Sequence, residues 1–324
     1  TTPKPPAVNS KPKRRMEYTA ADVLPYVDRQ TAEKFLDLSL ANGPYRAAFS
    51  PNGLYLGLVG QYGKVGLLKW KQQTLVREFD VSDRVYDFAF FHTHEMFALA
   101  QETSLHIYNE TGTQMHNLRE IISPRHLTFL PYHFLLATMC AGQPHKLRYL
   151  DVSVGAMITT HRMPTPVLCM AQNPSNAVIL AGHSSGMLTM WTPNMPDPVV
   201  ALAAHSGAIT AVAVTENGKY AATCGVDKTL RTIDLRMMRE VEERRLTRTR
   251  YSGLAYSQTG MLAAASARRI DVYDAAMKLA VVQHPCTDPG DSVASLAFCP
   301  FEDFLAVGKT SFVAKLAIPR SVRR

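Results

Sequence analysis

The chain holds few residues whose type and spacing suggest chemistry, and most of them lie in turns. Gly182-His183-Ser184-Ser185-Gly186 matches G-x-S-x-G. In hydrolases that pattern presents a nucleophilic serine on a sharp turn between a strand and a helix. Here Met187-Leu188-Thr189-Met190-Trp191 follows, and it reads as a strand. The glycines then make a hairpin turn, and Ser184 is not expected to act as a nucleophile. Gly57, Gly60, Gly63 and Gly66 stand three apart, with no Gly-Lys-Ser/Thr after them, so they read as turn and strand glycines rather than a phosphate cradle. His92-Thr93-His94-Glu95 is dense in metal donors but falls where the chain turns, and a solvated loop is expected. Cys140, Cys169, Cys224, Cys286 and Cys299 form no C-x-x-C pair, and the first three sit in apolar stretches, which suits a reducing compartment. No paired carboxylates lie on predicted rigid elements. The expectation is therefore no catalytic residue, no metal, no cofactor and no small-molecule substrate.

Periodicity supplies the elements. Short apolar strands end in an aromatic or aliphatic residue at Trp70, Tyr108, Leu150, Trp191, Ile233, Tyr273 and Leu316, at intervals of 38 to 43 residues. Propeller blades of the WD type repeat at about 40–45 residues. The inner grammar is clearest over 208–234. Ala208–Val214 alternates as a strand, Glu216-Asn217-Gly218-Lys219 is a turn with Asn-Gly to supply positive φ, Tyr220–Cys224 is a strand, and Thr229–Asp234 another. Residues 47–70 repeat the scheme around Ser50-Pro51-Asn52-Gly53. The predicted fold is all-β, a seven-bladed WD-repeat β-propeller spanning 41–318. One four-stranded blade cannot bury both faces, whereas blades stacked in a ring can.

The fifth repeat resembles a WD unit most closely. His205 precedes its first strand, Thr223 and Asp227 stand where the hydrogen-bonded tetrad of that family has Ser/Thr and Asp, and Ile233-Asp234 replaces Trp-Asp. The tetrad thus lacks its indole. A buried Asp accepting from His and backbone N–H ties a turn to a loop, so His205, Thr223, Asp227 and Asp234 are expected to be structural.

Hydrophobic residues make up 46% of the 324 and charged residues 19%, which is globular composition. No apolar run approaches the roughly 20 residues of a membrane helix, and the start lacks an apolar signal region, so no membrane contact is expected. There is no initiator Met, as expected of a piece of a longer chain. Residues 1–15 read as a basic tail. A capping pattern at Thr19-Ala20-Ala21-Asp22 predicts a helix over 20–35, so that 1–40 forms a basic tail and helical extension, and 319–324 a basic C-terminal tail that reads as cut short. The formal net charge of +8 is uneven. Lys4, Lys11, Lys13, Arg14 and Arg15 crowd the start and Arg320, Arg323 and Arg324 the end, while a cluster from Arg236 to Arg250 is diluted by Glu240, Glu242 and Glu243. Basic tails on a folded body suggest RNA or another polyanion as partner, and these eight tail residues are the expected contacts. The helix has an apolar side (Val23, Tyr26, Val27) that needs either the propeller or a partner protein to cover it.

Specific strings add a narrower resemblance. Phe129-Leu130-Pro131-Tyr132-His133-Phe134-Leu135-Leu136, Tyr149-Leu150-Asp151-Val152-Ser153-Val154-Gly155, Gln172-Asn173-Pro174-Ser175-Asn176-Ala177-Val178-Ile179, Gly182-His183-Ser184-Ser185-Gly186 and Phe298-Cys299-Pro300-Phe301-Glu302-Asp303 occur in one order, with Val27–Lys34 and Gly43-Pro44-Tyr45-Arg46 upstream. From about residue 22 to about 308 the chain resembles the WD-repeat nucleolar proteins of the small-subunit processome associated with box C/D RNA. The resemblance implies a non-enzymatic scaffold in the nucleus and nucleolus. It would support pre-rRNA processing and assembly of the small (40S) ribosomal subunit. Its partners would be processome proteins, pre-rRNA and box C/D small nucleolar RNA. After Gly308 the family tends to carry a His-Ser-x-Gly turn, where this chain has Lys309-Thr310-Ser311-Phe312. Two other readings compete. One is a generic adaptor such as a ubiquitin-ligase substrate receptor. The other is a hydrolase using Ser184.

Overall fold

The computed structural model describes residues 43–142, 145–245, 251–267, 269–274, 292–302 and 304–309, together with the placement of the strands Asp37–Ser39, Ala280–Pro285 and Phe312–Ala317. The helix expected over 20–35 lies outside the described residues. Among those described, the only helical element given is a single 3-10 turn, Pro131–His133, and no helix is long and apolar enough to cross a membrane.

The described strands make seven four-stranded antiparallel sheets. Six are built from four consecutive strands each. The first, for example, contains Tyr45–Phe49, Tyr55–Gly60, Lys64–Lys69 and Thr74–Asp80 in that order. The seventh is composite. Val293–Phe298, Phe304–Lys309 and Phe312–Ala317 come from the end of the chain, and Asp37–Ser39 from its beginning supplies the outer edge, pairing Leu38 with Val313. The expected boundary between extension and propeller at residue 40 therefore falls after a strand of the last sheet. The innermost strands neighbour one another in chain order, and the last, Val293–Phe298, returns to the first, Tyr45–Phe49. The architecture is an all-β propeller of the WD-repeat kind.

Burial explains the strand types. The second strand of each sheet is apolar almost throughout and covered on both faces. Leu135–Cys140 and Leu262–Ser266 are buried at every position. A strand covered on both faces has no polar side to alternate with. The fourth strands form the rim, and two of them, Thr74–Asp80 and Arg239–Arg245, are mostly exposed and densely charged.

The core lies between sheets. Leu180 and Leu188 of the fourth sheet pack on Ile209 and Ala221 of the fifth. Tyr45, Leu56 and Trp70 of the first pack on Phe304 and Ala306 of the seventh, which closes the ring with apolar surface. Each such leucine, isoleucine or phenylalanine contributes roughly 1.5–3 kcal/mol on burial. Trp70 caps this seam. Its indole N–H donates to the Gly53 carbonyl at 2.7 Å, and its ring meets Phe49 and Phe304 at 5.9 and 5.6 Å. The two Asn-Gly turns are as the sequence suggests. Gly53 and Gly218 both take φ of +66°, and the preceding Asn52 and Asn217 side chains accept from the Ser50 and Thr215 hydroxyls at 2.6 and 2.7 Å.

Candidate functional site

His205, Thr223 and Asp227 meet as a WD unit requires. His205 Nδ1 lies 3.0 Å from Asp227 Oδ2 and Nε2 lies 3.0 Å from Thr223 Oγ1. Thr229, absent from the sequence reading, completes the cluster by donating to Asp227 Oδ1 from its hydroxyl at 2.8 Å and its N–H at 3.1 Å. Burial alone would raise the Asp227 carboxyl, but the bonds from Thr229 and His205 bring it below its ordinary value. Burial lowers His205 despite Asp227. A neutral imidazole that donates from Nδ1 and accepts at Nε2 satisfies every partner. Asp234 stands apart and binds the Arg236 and Met237 N–H groups at 2.8 and 3.2 Å in the next turn.

A second buried relay lies in the fourth sheet. Trp191 Nε1 donates to Thr189 Oγ1 at 2.8 Å, and the same hydroxyl sits 2.7 Å from His183 Nε2. His183 Nδ1 faces Thr165 Oγ1 at 2.9 Å. So the indole missing from the fifth sheet has its counterpart here, with His183 inside the G-x-S-x-G string. Ser184 is exposed in the hairpin between Ile179–His183 and Met187–Trp191, and both nitrogens of His183 are turned to threonines. A third cluster joins Tyr251 to Asp271 and, at 2.5 Å, to Tyr273, with Arg269 3.2 Å from the same carboxylate.

His92 and His94 serve neighbouring sheets. His92 Nε2 meets the Pro131 carbonyl at 2.8 Å, and His94 stacks on Tyr55 at 3.7 Å beside Glu110. No group of three or more metal-ligating side chains exists among the described residues. Cys140, Cys169, Cys224 and Cys299 are buried, and burial pushes the Cys224 thiol up to about 11. Lys4, Lys11, Lys13, Arg14, Arg15, Arg320, Arg323 and Arg324 lie outside the described residues. Within the cluster from 236 onward, Arg244 lies over the Tyr273 ring at 5.0 Å, Arg245 is 3.3 Å from Glu243, and Arg248 and Arg250 lie outside the described residues.

The most distinctive site was not anticipated. Each innermost strand places its second residue at one level of the ring. These residues are Arg46, Tyr86, Arg125, Leu168, Thr210, Ser252 and Ala294. In all but the first sheet a bulge leaves that residue out of the pairing register. A bulge re-aims a side chain without ending the sheet. Four of the residues are large and neighbour one another: Arg46, Tyr86, Arg125 and Leu168. They line a cavity of about 400 Å³ that His126 and His145 also border. A smaller one of about 170 Å³ adjoins it, sharing Arg46 and Tyr86. Asp87 holds this half together. It accepts from Arg46 Nη1 at 2.8 Å and from the Leu127 N–H at 2.8 Å, linking three sheets. Burial lowers His126 below its ordinary value against the pull of Asp87. The available signal was the recurrence of these positions at 39 to 43 residues, but nothing in their types reveals it.

Residues 196–234 match the WD domain, G-beta repeat, and residues 282–323 match the BING4CT (NUC141) domain. Over 312 residues the chain is 34% identical to U3 small nucleolar RNA-associated protein 7 of Saccharomyces cerevisiae, covering 90% of this chain and 56% of that protein. It is 37% identical over 308 residues to WD repeat-containing protein 46 of Homo sapiens, covering 92% and 50%. The protein of that name from Caenorhabditis elegans is 33% identical over 304 residues, covering 92% and 51%. The chain is a WD-repeat protein and a homologue of these three. It spans about half the length of these relatives. The second domain match includes Lys309-Thr310-Ser311-Phe312, the stretch that the sequence reading set apart from its family. That match spans Val293–Phe298, Phe304–Lys309 and Phe312–Ala317, three strands of the last sheet.

Proposed function

We propose that this chain is a non-enzymatic scaffold of the small-subunit processome that supports pre-rRNA processing and assembly of the small ribosomal subunit in the nucleolus. The observation that carries the reading is the 34% identity, over nine-tenths of the chain, to a protein named for association with U3 small nucleolar RNA. The fold supports it. A ring of seven sheets, each read as one blade, buries its apolar surface internally and offers exposed outer strands to neighbours, densely charged at Thr74–Asp80 and Arg239–Arg245. His183, His205 and Asp227, which could otherwise do chemistry, are engaged in structural hydrogen bonds, and Ser184 stands in an exposed turn. The basic tails at 1–15 and 319–324 are the proposed RNA contacts, pre-rRNA and box C/D RNA among them, and the helix over 20–35 the proposed protein contact.

Affinity purification of the tagged 324-residue chain from nucleolar extract at moderate salt, with RNA sequencing and mass spectrometry, tests the reading. Enrichment of U3 RNA together with small-subunit precursors is expected. Recovery of a folded chain without either overturns it. If the tails bind RNA, retention falls steeply as salt rises. Salt-insensitive retention assigns the association to protein contacts.

A further inference from the structure

We propose that the cavity lined by Arg46, Tyr86, Arg125 and Leu168 docks an extended acidic segment of a partner protein, with a carboxylate on Arg125 and the adjoining aliphatic side chain against Leu168. This site goes beyond the scaffold reading and does not depend on it. It rests on four observations.

First, the Arg125 guanidinium lies over the Tyr86 ring with Cζ 3.7 Å from the centroid. The stack holds the planar fork in place and leaves its N–H edge for an oxygen pair. A fork already ordered loses little freedom on binding. Second, no carboxylate among the described residues pairs with Arg125, and none lines the larger cavity. Asp87, in the smaller cavity, is engaged by Arg46 and Leu127. Of the two arginines in the lining, Arg46 is engaged by Asp87 and Arg125 is left without an acid, which makes Arg125 the group complementary to a negative ligand. Third, the opposite wall is apolar. Leu168 is 44% exposed and is flanked by Pro166, Val167 and Met139. Such a wall rewards an aliphatic neighbour of the acid. Fourth, the site suits a peptide better than RNA. Stacking of a base needs an open aromatic face and a track of cations for the phosphates. Arg125 covers the Tyr86 face, and the ring continues through Thr210, Ser252 and Ala294, which carry no charge.

The test selects a random dodecapeptide display library on the 324-residue chain and measures the enriched peptides by fluorescence anisotropy, with oligouridylate as the RNA comparison. Enriched peptides are expected to place Asp or Glu beside Leu, Ile or Val. Arg125→Glu should weaken them about tenfold to a hundredfold, as loss of a charge-assisted bond implies. Arg125→Lys keeps the charge but not the fork and should give an intermediate loss. Tyr86→Ala should weaken binding with the guanidinium intact. Unchanged thermal melting of each variant shows that the fold is retained, and Leu168→Ser serves as a second probe of the same site. The proposal is overturned if no enriched peptide depends on Arg125 or Leu168. Oligouridylate bound through Arg125 in preference to the peptides overturns it equally.

Discussion

The Trp191 indole and the His183 imidazole share one hydroxyl, that of Thr189, at 2.8 and 2.7 Å. All three side chains are buried, at 4% exposure or less. A buried polar group left unpaired costs far more than the bond itself contributes. Thr189→Val keeps the shape, removes the hydroxyl and strands both the indole N–H and the imidazole nitrogen. A loss of about 2–6 kcal/mol is expected in urea unfolding, taking about 1–3 kcal/mol for each of the two stranded groups. A change within a few tenths would show that the relay is incidental.

Acid should destabilise the fold before any carboxylate titrates. Burial lowers the folded-state values of His126, His161, His183 and His205. In the unfolded chain these imidazoles protonate near the ordinary 6.5. Below that value the unfolded state binds more protons than the folded one, so stability is full above it and falls as pH falls through it. The melting temperature is expected to drop between pH 7.5 and 5.5. His205→Gln should be less stable at pH 7.5 and show a shallower decline. A slope identical to the parent's would exclude His205 from the effect.

Gly308 decides how closely the two ends of the ring meet. It sits in Phe304–Lys309, and a Cβ there would run into the Tyr45 carbonyl and the Ser295 hydroxyl. That hydroxyl bonds both the Ala47 N–H at 3.0 Å and the Tyr45 carbonyl at 3.1 Å. Gly308→Ala must push the first and seventh sheets apart. Overpacking of this kind costs about 1–3 kcal/mol, to be read as a lowered melting temperature, with faster hydrogen exchange in Tyr45–Phe49 than in Ile209–Val214. Uniform exchange across both strands would refute a local seam.

Ser184 is a turn residue with no free base beside it. The chain is expected not to react with a fluorophosphonate, and Ser184→Ala should change stability by less than about 0.5 kcal/mol, the usual range for an exposed surface position. Labelling at Ser184 would revive the hydrolase reading.

The sequence by itself determined the repeat and its punctuation. Trp70, Tyr108, Leu150, Trp191, Ile233, Tyr273 and Leu316 all fall at the ends of third strands or just beyond them. The Asn-Gly turns and the His205–Thr223–Asp227 contact were also legible, because period and turn chemistry act over a few residues. Three things were settled only by the tertiary structure. Asp37–Ser39 joins the last sheet because the ring must close and its outer edge needs a partner, a pairing that spans nearly the whole chain. His183 joins Trp191 because their strands are adjacent in register, which turns a hydrolase-like string into a core relay. Arg46, Tyr86, Arg125 and Leu168 line one cavity because equivalent positions of successive blades converge near the axis and bulges re-aim the last three. Local sequence sets each residue's character. Which residues of different blades stand side by side is set by the closure of the ring.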